Sequence, residues 1–144
     1  DVPKLLGIDG RKMSKSYENA IYLSDRGDVL TKKVGAMFTD PQRMRKCDPG
    51  RPELCNVFAM HGLYSDPVEV EEIAVDCRRA GIGCTECKRR LGERIAEGLQ
   101  PIHERQEHYR QHLHEVTEII REGNLRAAAI ARQTLEEVRE AVKI

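Results

Sequence analysis

The sequence predicts an all-α fold, a helical bundle with five or six helices, and two observations carry this prediction. Apolar residues recur at steps of three, four or seven over one long stretch, as on a single helical face: Leu91, Ile95, Leu99, Ile102, Tyr109, Leu113, Val116 and Ile120. Strand-forming aromatic residues are too scarce for a β-rich fold, because the 144 residues include no Trp and only two Phe. Charged residues make up 33% of the chain, which suits helices with long polar faces.

The N-terminal part of the chain predicts a loop, one helix and a linker, in that order. Residues 1–20 lack helical periodicity, so we expect a loop there. Residues 25–38 place five apolar side chains on one helical face, namely Val29, Leu30, Val34, Met37 and Phe38. Residues 39–52 contain three prolines and one glycine, and they predict a linker because proline cannot continue a helix.

Two shorter helices are expected after the linker. Residues 53–63 are apolar and compact, which suits a buried helix. Ser65 and Asp66 precede Pro67, which is the pattern of a helix N-cap with proline near the first helical position. We expect the helix that begins there to reach about Arg79.

Two long amphipathic helices are predicted after a turn at Gly81 and Gly83. Pro101 is expected to kink or restart the first of these helices, since an interior proline costs about 3 kcal/mol. Gly123 and Asn124 are expected to break the chain between the two. The last helix uses six apolar positions: Leu125, Ala128, Ala131, Leu135, Val138 and Val142.

Composition excludes several classes of protein. No apolar stretch approaches the roughly 20 residues that span a bilayer, and the N-terminus has no signal-peptide pattern. We therefore expect a cytosolic chain without a membrane partner, and five cysteines in such a chain argue against a disulfide framework. Net charge is zero, so the whole chain presents no field that would attract nucleic acid.

Four of the cysteines have a spacing that suggests a metal centre: Cys55, Cys77, Cys84 and Cys87, in the pattern C-x21-C-x6-C-x2-C. The C-x2-C pair lets two thiolates from one turn bind one centre, and the two distant cysteines could complete the ligation of zinc or of an iron-sulfur cluster. A set of unrelated buried thiols plus one redox pair is the third interpretation of the spacing. Cys47 is a spare thiol or a substitute ligand.

Basic residues are concentrated in residues 78–94, which hold six basic and two acidic side chains, whereas residues 51–76 hold one basic and six acidic ones. The basic residues are Arg78, Arg79, Lys88, Arg89, Arg90 and Arg94. This local patch is either a solvated helix face or a phosphate-binding surface.

Four histidines fall in one helical region: His103, His108, His112 and His114. His108 and His112 have the i, i+4 spacing of a metal-binding pair. The pattern fixes no third ligand and charged residues are interleaved, so we expect a solvent-exposed face. His61 lies among apolar residues, and we expect it in the core or at an interface.

The run Lys12-Met13-Ser14-Lys15-Ser16 has the features of a phosphate-binding loop. Two ammonium groups three residues apart can converge on one polyanion, and Gly7 and Gly10 permit the chain reversals that such a loop needs. The loop would stabilise the charge that develops on a leaving pyrophosphate. Taken as isolated residue types, the same lysines and serines also suit an ordinary basic surface loop.

The chain resembles the bacterial tryptophanyl-tRNA synthetases, class I aminoacyl-tRNA synthetases, over essentially its whole length. The full KMSKS string is typical of class I enzymes. Three further segments narrow the resemblance to the C-terminal part of the tryptophanyl family: TDPQRMRKCDPGRPELCNVFAMHGLYS at 39–65, CRRAGIGCTECKRRL at 77–91 and LQPIHER at 99–105.

This resemblance implies a domain organisation. Residues 1–22 would be the KMSKS loop and the end of a Rossmann-type catalytic domain, and residues 23–144 a helical anticodon-binding domain. Under this resemblance the rest of the catalytic domain would be missing, since the chain has no HIGH-like motif. We therefore expect a fragment that is inactive alone and monomeric, from a longer enzyme that is a homodimer.

The resemblance also implies roles for individual residues. Lys12 and Lys15 would contact the ATP phosphates with help from Mg²⁺, Ser14 and Ser16 would shape the loop, and Met13 would pack. The helical domain would bind tRNA(Trp), with four basic residues facing it: Arg78, Arg79, Lys88 and Arg89. A 4Fe-4S cluster held by Cys55, Cys77, Cys84 and Cys87 becomes the preferred centre, with zinc second.

Two functions remain open at this stage. The first is the C-terminal region of a tryptophan-tRNA ligase, in which the loop assists amino-acid activation and the helices read the anticodon. The second is a synthetase-like module that binds tRNA or metal and has no aminoacylation activity.

Overall fold

The computed structural model describes residues 4–143 and confirms the all-α prediction. Five α-helices are present in this range: α1 (Gly27–Gly35), α2 (Asn56–Tyr64), α3 (Pro67–Arg78), α4 (Cys84–Gln111) and α5 (Leu113–Val142). Short 3₁₀ helices cover Lys15–Tyr17 and Pro52–Leu54. Over the same range, no helix combines the length and the apolar composition that crossing a membrane requires.

The described chain divides into two compact units, the first ending at His103 and the second beginning at Glu104. The core of the first unit is formed by apolar side chains of α1, α2 and α4, together with Met37 after α1. Its members are Leu30, Val34, Met37, Val57, Met60, Leu91, Ile95 and Leu99. Burial of this apolar surface is what holds the three helices together. The predicted boundary at residue 22 stays a prediction.

The linker at residues 39–52 is fixed by one buried carboxylate. Asp40 is 5% exposed and accepts hydrogen bonds from Nε and Nη2 of Arg51 at 3.0 and 2.6 Å. It also accepts from the backbone N–H groups of Gln42 and Arg51. These four bonds close the linker on itself, and they hold the pKa of Asp40 far below its usual range, chiefly through Arg51.

The N-cap prediction for α3 is confirmed. The Asp66 side chain accepts a hydrogen bond of 2.8 Å from the backbone N–H of Val68, and Pro67 is the first helical residue. A capping carboxylate also interacts favourably with the positive end of the helix dipole. The helix ends at Arg78, one residue before the expected end.

The first helix is shorter than predicted. It begins at Gly27 and ends at Gly35, so Met37 and Phe38 lie beyond it. The Phe38 backbone N–H instead donates to the carbonyl of Ile8 at 2.7 Å, which draws the chain out of the helix and onto the N-terminal loop. Met37 is buried as expected, whereas Val29 and Phe38 are exposed.

The predicted helix over residues 53–63 is also only partly right. A 3₁₀ turn covers Pro52–Leu54, and the α-helix begins at Asn56. Val57, Met60 and His61 are buried, but Leu54 and Leu63 are exposed.

The two long helices meet at a different residue from the one predicted. The prediction of a break at Gly123 and Asn124 is wrong, because α5 runs through both, and one interior glycine costs only about 1 kcal/mol. The helices are separated at His112, whose backbone leaves the helical region with φ −124 and ψ 57. A restart at Pro101 is wrong as well, since α4 continues to Gln111.

Candidate functional site

Residues 5–19 fold into a compact loop that presents the predicted phosphate-binding run. Leu6 and Lys12 form an isolated antiparallel bridge. The Gly7 N–H donates to the Arg11 carbonyl at 2.7 Å and the Met13 N–H donates to the Leu5 carbonyl at 2.9 Å. The chain therefore doubles back before Lys12, and this reversal directs the KMSKS run away from the core.

Asn19 fixes the shape of this loop from inside. The side chain is 2% exposed; its Oδ1 accepts from the backbone N–H of Ser14 at 2.8 Å. Its Nδ2 donates to Asp9 Oδ1 at 2.8 Å and to the Lys12 carbonyl at 3.2 Å. One buried amide thus binds both ends of the segment from Lys12 to Ser14. A buried amide with its bonds satisfied is rigid, because losing them leaves unpaired polar atoms.

Glycine is required at two positions of the loop. A Cβ at Gly7 would lie 2.4 Å from Asn19 Cγ, and Gly10 has φ +79, where side chains are strained. The Gly7 carbonyl also accepts from Asn56 Nδ2 at 2.6 Å, which connects the loop to the start of α2. Both predicted roles for these glycines concern chain reversal, and the structure adds close packing at Gly7.

The two lysines of the run are exposed. Neither Lys12 nor Lys15 takes part in an ion pair among the described residues. Ser14 and Ser16 share a hydrogen bond of 2.9 Å between their hydroxyls, and Met13 is half-buried. Two solvated ammonium groups on a fixed backbone can bind an anion without first breaking a carboxylate contact.

Asp9 and Asn19 are loop residues to which the sequence assigns no role. The Asn19 amide, together with Arg11, lowers the pKa of Asp9 to about 2, so Asp9 is ionised and holds Nδ2 of Asn19. The only sequence signal for this pair is their position on either side of the lysine run. Their function depends on the chain reversal at Gly10, which spacing alone does not describe.

The four predicted ligand cysteines come together in the first unit. Cys55 directly precedes α2, Cys77 lies near the end of α3, and Cys84 and Cys87 lie in the first turn of α4. Burial, followed by the nearby thiols of the other three, raises the pKa of Cys87 to about 12. Burial also raises the pKa of Cys77, with Cys55 and Cys84 adding to the effect. Cys47, by contrast, is exposed and bonds only weakly to the neighbouring Asp48.

The spacing of these thiols bears on which centre they could hold. No cysteine belongs to a group of three ligands within 4.8 Å of one another in residues 4–143. Tetrahedral zinc with Zn–S bonds of about 2.3 Å brings its sulfurs within about 4 Å of each other. The thiols as placed are therefore more widely spaced than a single zinc ion requires.

Arg43 lies against the thiol set and carries an unsatisfied donor. Its Nη1 lies 3.6 Å from Cys77 Sγ, its Nη2 donates to the Ile82 carbonyl at 2.7 Å, and its buried Nε has no hydrogen-bond partner in the described part of the chain. A Cβ at Gly50 would lie 2.5 Å from Cys77 Sγ, so only glycine fits there. A guanidinium in this position favours thiolate over thiol, which suits an anionic centre.

His61 is buried, as the sequence predicts, and it contacts the same region. Its Nδ1 hydrogen-bonds Ser65 Oγ at 2.7 Å and its Nε2 hydrogen-bonds the Cys87 carbonyl at 3.1 Å. Burial lowers the pKa of His61, so the ring is neutral at neutral pH. His61 thus joins α2 to the first turn of α4 and holds Cys87 in place.

The predicted basic residues occupy two neighbouring stretches, the end of α3 and the first turns of α4. Arg78 pairs with Glu53 and Arg79 with Asp76. Lys88 donates to the Gly35 carbonyl at 2.7 Å, and Arg89 pairs with Glu86 and Glu93. Surface pairs of this kind contribute only about 0–1 kcal/mol. Phosphate groups can therefore replace these carboxylates at little cost.

A cleft of about 500 Å³ opens beside Cys84, between the linker and the start of α4. Four of its lining side chains are basic: Arg43, Arg45, Lys46 and Arg90. The three linker residues were missed by sequence reasoning, which considered only residues 78–94 as basic. The Asp40–Arg51 contact folds the linker back on itself, and Arg43 Nη2 donates to the Ile82 carbonyl just before α4.

Known proteins are similar to this chain over its whole length. A family model described as tRNA synthetases class I (W and Y) matches residues 2–100. The chain is 48% identical to the tryptophan–tRNA ligase of Aquifex aeolicus over 145 residues, which is 100% of the chain and 37% of that protein. It is 40% identical to the enzyme of Ralstonia nicotianae, covering 99% of the chain and 36% of that protein.

A solved structure shows the same fold. The crystal structure of tryptophanyl-tRNA synthetase from Campylobacter jejuni, complexed with ADP and tryptophan, superposes with a TM-score of 0.88 at 26% identity. The match covers 100% of this chain and 44% of that one. The chain spans a little over a third of the curated relatives named above. The chain therefore belongs to the class I tRNA synthetases of the tryptophan and tyrosine (W and Y) family.

Proposed function

We propose that the chain supplies the ATP-phosphate-binding loop and the anticodon-binding helices of a tryptophan–tRNA ligase. The observation that carries this proposal is the loop geometry. Lys12 and Lys15 are exposed and form no ion pair with another described residue, and the Asn19 side chain holds the backbone between them. Family membership and the relatives named tryptophan–tRNA ligase support the same conclusion.

Lys12 and Lys15 act by electrostatic attraction to phosphate groups. Their ammonium groups bind the phosphates of ATP and stabilise the negative charge that develops as pyrophosphate leaves and the tryptophanyl adenylate forms. The lysines offer no oxygen ligand, so a Mg²⁺ ion would be held by phosphate oxygens and would neutralise part of their charge. The hydrogen bond between the Ser14 and Ser16 hydroxyls holds these two residues close together in the loop.

The loop proposal can be tested in a hybrid enzyme. This chain replaces the matching region of the Aquifex aeolicus tryptophan–tRNA ligase, to which it is 48% identical, and both lysines are changed, Lys12→Ala and Lys15→Ala. Tryptophan-dependent pyrophosphate exchange should fall by about 10²-fold or more, as on removing a transition-state donor, while tryptophan binding is unchanged. Lys32→Ala, an exposed lysine on α1, is the control. Unchanged exchange in the double variant would refute the assignment.

We infer a second role for the basic residues at the end of α3, the start of α4 and the linker. Arg78, Arg79, Lys88 and Arg89 are exposed or half-exposed, and the basic cleft beside Cys84 adjoins the same part of α4. Phosphate contacts from such residues position a nucleic acid, whereas a cleft with hydrogen-bonding groups can read a base. This surface would contact the anticodon arm of tRNA(Trp).

We propose that the four cysteines hold a 4Fe-4S cluster at this surface. Mutual electrostatic influence among the thiols, their wide spacing and the unsatisfied Arg43 Nε all fit an anionic centre larger than one ion. When bound, the cluster supplies a rigid link between the ligand-bearing segments. Cys55, Cys77, Cys84 and Cys87 would hold it, and the turn at Cys84 would then present Lys88 and Arg89 to tRNA.

Anaerobic reconstitution with iron and sulfide tests this centre. The chain should take up iron and sulfide with broad visible absorption, and Cys84→Ser or Cys87→Ser should abolish both signals. Cys47→Ser, a change at the exposed cysteine, should leave both intact. Zinc uptake without iron, lost in Cys84→Ser, would identify the alternative centre, and uptake of neither metal by the cysteines would refute the proposal.

A further inference from the structure

Three potential metal ligands meet at the junction of α4 and α5, within the second unit. They are His108 in the last turn of α4, His112 between the helices and Glu115 in the first turn of α5. Their nearest donor atoms all lie within 4.8 Å of one another. His108 Nε2 and Glu115 Oε2 are 2.9 Å apart. The two imidazoles stack with their centroids 4.4 Å apart.

The break at His112 is what creates this group. In an unbroken helix His108 and Glu115 would be seven residues apart and about 10 Å distant along the axis. The change of backbone direction at His112 brings Glu115 back onto the His108 ring. The i, i+4 histidine pair was visible in the sequence, but its third ligand depends on this break.

One hydrogen bond prepares His112 for ligation. Its Nδ1 lies 2.8 Å from the His108 carbonyl, and because a carbonyl can only accept, Nδ1 carries the proton. In the neutral ring Nε2 then has a free lone pair. Metal-binding histidines in proteins usually have their second nitrogen bonded to a carbonyl or carboxylate in this way.

We propose that His108, His112 and Glu115 form a binding site for zinc or a similar first-row transition-metal ion, separate from the cysteine set. Zinc–nitrogen and zinc–oxygen bonds of about 2.0–2.2 Å place tetrahedral ligands about 3.3 Å apart. The observed donor separations are close to this value, but the two rings are stacked. Because an imidazole lone pair lies in the plane of its ring, one ring must rotate out of the stack before both can bind the ion. The ion takes the place of the proton between His108 and Glu115, and that imidazole proton moves to Nδ1.

The ligand set also selects the kind of ion. Two imidazoles and one carboxylate suit zinc, copper, nickel or iron, whereas magnesium and calcium prefer oxygen ligands throughout. Three protein ligands leave one tetrahedral position for water. Because its ligands come from both helices, the bound ion fixes the α4–α5 junction.

Zinc titration followed on the histidine rings tests this site. ZnCl₂ is added to the ¹⁵N-labelled chain without a polyhistidine tag, and the ring nitrogen resonances of all five histidines are recorded. The His108 and His112 resonances should move together and saturate, whereas excess MgCl₂ should move neither. Zinc bound by the cysteines does not affect this result, because each resonance is assigned to one histidine ring.

Two glutamate variants complete the test. Glu115→Gln should weaken zinc binding at the two rings by at least about tenfold, while Glu122→Gln, an exposed neighbour on α5, should not change it. Equal affinities in the two variants would overturn the three-ligand site. The site would also be overturned if the resonances of His103, His108, His112 and His114 all shifted by the same amount without saturating. Separate surface histidines behave in that way.

Discussion

Asn19 shows how one side chain can fix the geometry of a polar segment. The KMSKS run has few apolar residues to bury, so its conformation depends on hydrogen bonds rather than on packing. The side chain of Asn19, a residue only 2% exposed, forms two hydrogen bonds to the run and a third to Asp9. The positions of Lys12 and Ser14 therefore depend on a residue outside the run.

Asn19→Ala should loosen the loop without unfolding the helices. It leaves the Ser14 N–H and the Lys12 carbonyl without their partner, and a lost buried hydrogen bond costs about 1–3 kcal/mol. Hydrogen exchange at the Ser14 amide should become faster by the corresponding factor, while amides in α4 keep their rates. Asn124→Ala on exposed α5 is the control, and unchanged Ser14 exchange would show that Asn19 does not hold the loop.

Asp40 predicts a pH dependence of stability. Its pKa is lowered far below the ordinary 3.8, first by the Arg51 hydrogen bonds, so the folded state binds its proton less readily than the unfolded state. The stabilisation from this carboxylate is complete above about pH 3.8 and is lost as pH falls toward the lowered pKa.

Asp40→Asn should accordingly lower the melting temperature at pH 7, and the difference from the unmodified chain should shrink below pH 3.8. Thermal unfolding monitored by circular dichroism at several pH values measures this. Asp28→Asn, a change at an exposed position of α1, should alter the melting temperature little. A difference that stays constant down to pH 2 would contradict the assigned role of Asp40.

At the scale of elements, periodicity located the helices and failed at their ends. The apolar spacing of Leu91, Ile95 and Leu99 predicts the buried face of α4, and all three are fully or nearly fully buried. Glycine and proline do not break the long helices, because the many backbone hydrogen bonds there compensate for one residue of low helix propensity. Helix propensity does not predict the break at His112. The Nδ1 atom and the backbone N–H of His112 both bond to the His108 carbonyl there.

The sites show the same division. Cysteine spacing predicts the thiol set and the KMSKS string predicts the loop, because each is a pattern of residue types that can be seen in the sequence. Asn19, Arg43 and Glu115 were missed because each reaches its partners through a chain reversal: at Gly10, in the linker and at His112. Contacts of that kind follow from tertiary structure, which a local pattern does not contain.

Gly123→Ala tests the continuity of α5. Gly123 lacks the positive φ found at Gly10 and Gly27, and an added Cβ would meet nothing within 4 Å. Alanine in a helix interior is favoured over glycine by about 1 kcal/mol. The variant should therefore retain more helical signal on heating, measured by far-ultraviolet circular dichroism. A loss of helicity would contradict a continuous α5 and would support the predicted break at Gly123 and Asn124.

At the scale of the whole molecule, zero net charge conceals a surface on which cations and carboxylates are paired. Two of the basic side chains at the end of α3 and the start of α4 have acidic partners within one helical turn, Asp76 for Arg79 and Glu86 for Arg89, and Arg78 pairs with Glu53. Binding of a polyanion must exchange these intramolecular pairs for phosphate contacts. Such exchange is feasible because exposed pairs are weak, and it makes binding sensitive to salt.

The proposed tRNA surface therefore has a quantitative consequence. Affinity of the chain for tRNA(Trp), measured by fluorescence anisotropy across a range of KCl concentrations, should fall steeply with salt. The double change Arg78→Ala and Arg79→Ala should weaken binding and reduce the slope of log K against log salt by about 2, one for each phosphate contact. Arg121→Ala is the matched control, since Arg121 also forms an exposed i, i+3 ion pair, with Glu118. An equal slope in both variants would remove Arg78 and Arg79 from the interface, because counterion release depends only on cations that contact phosphate.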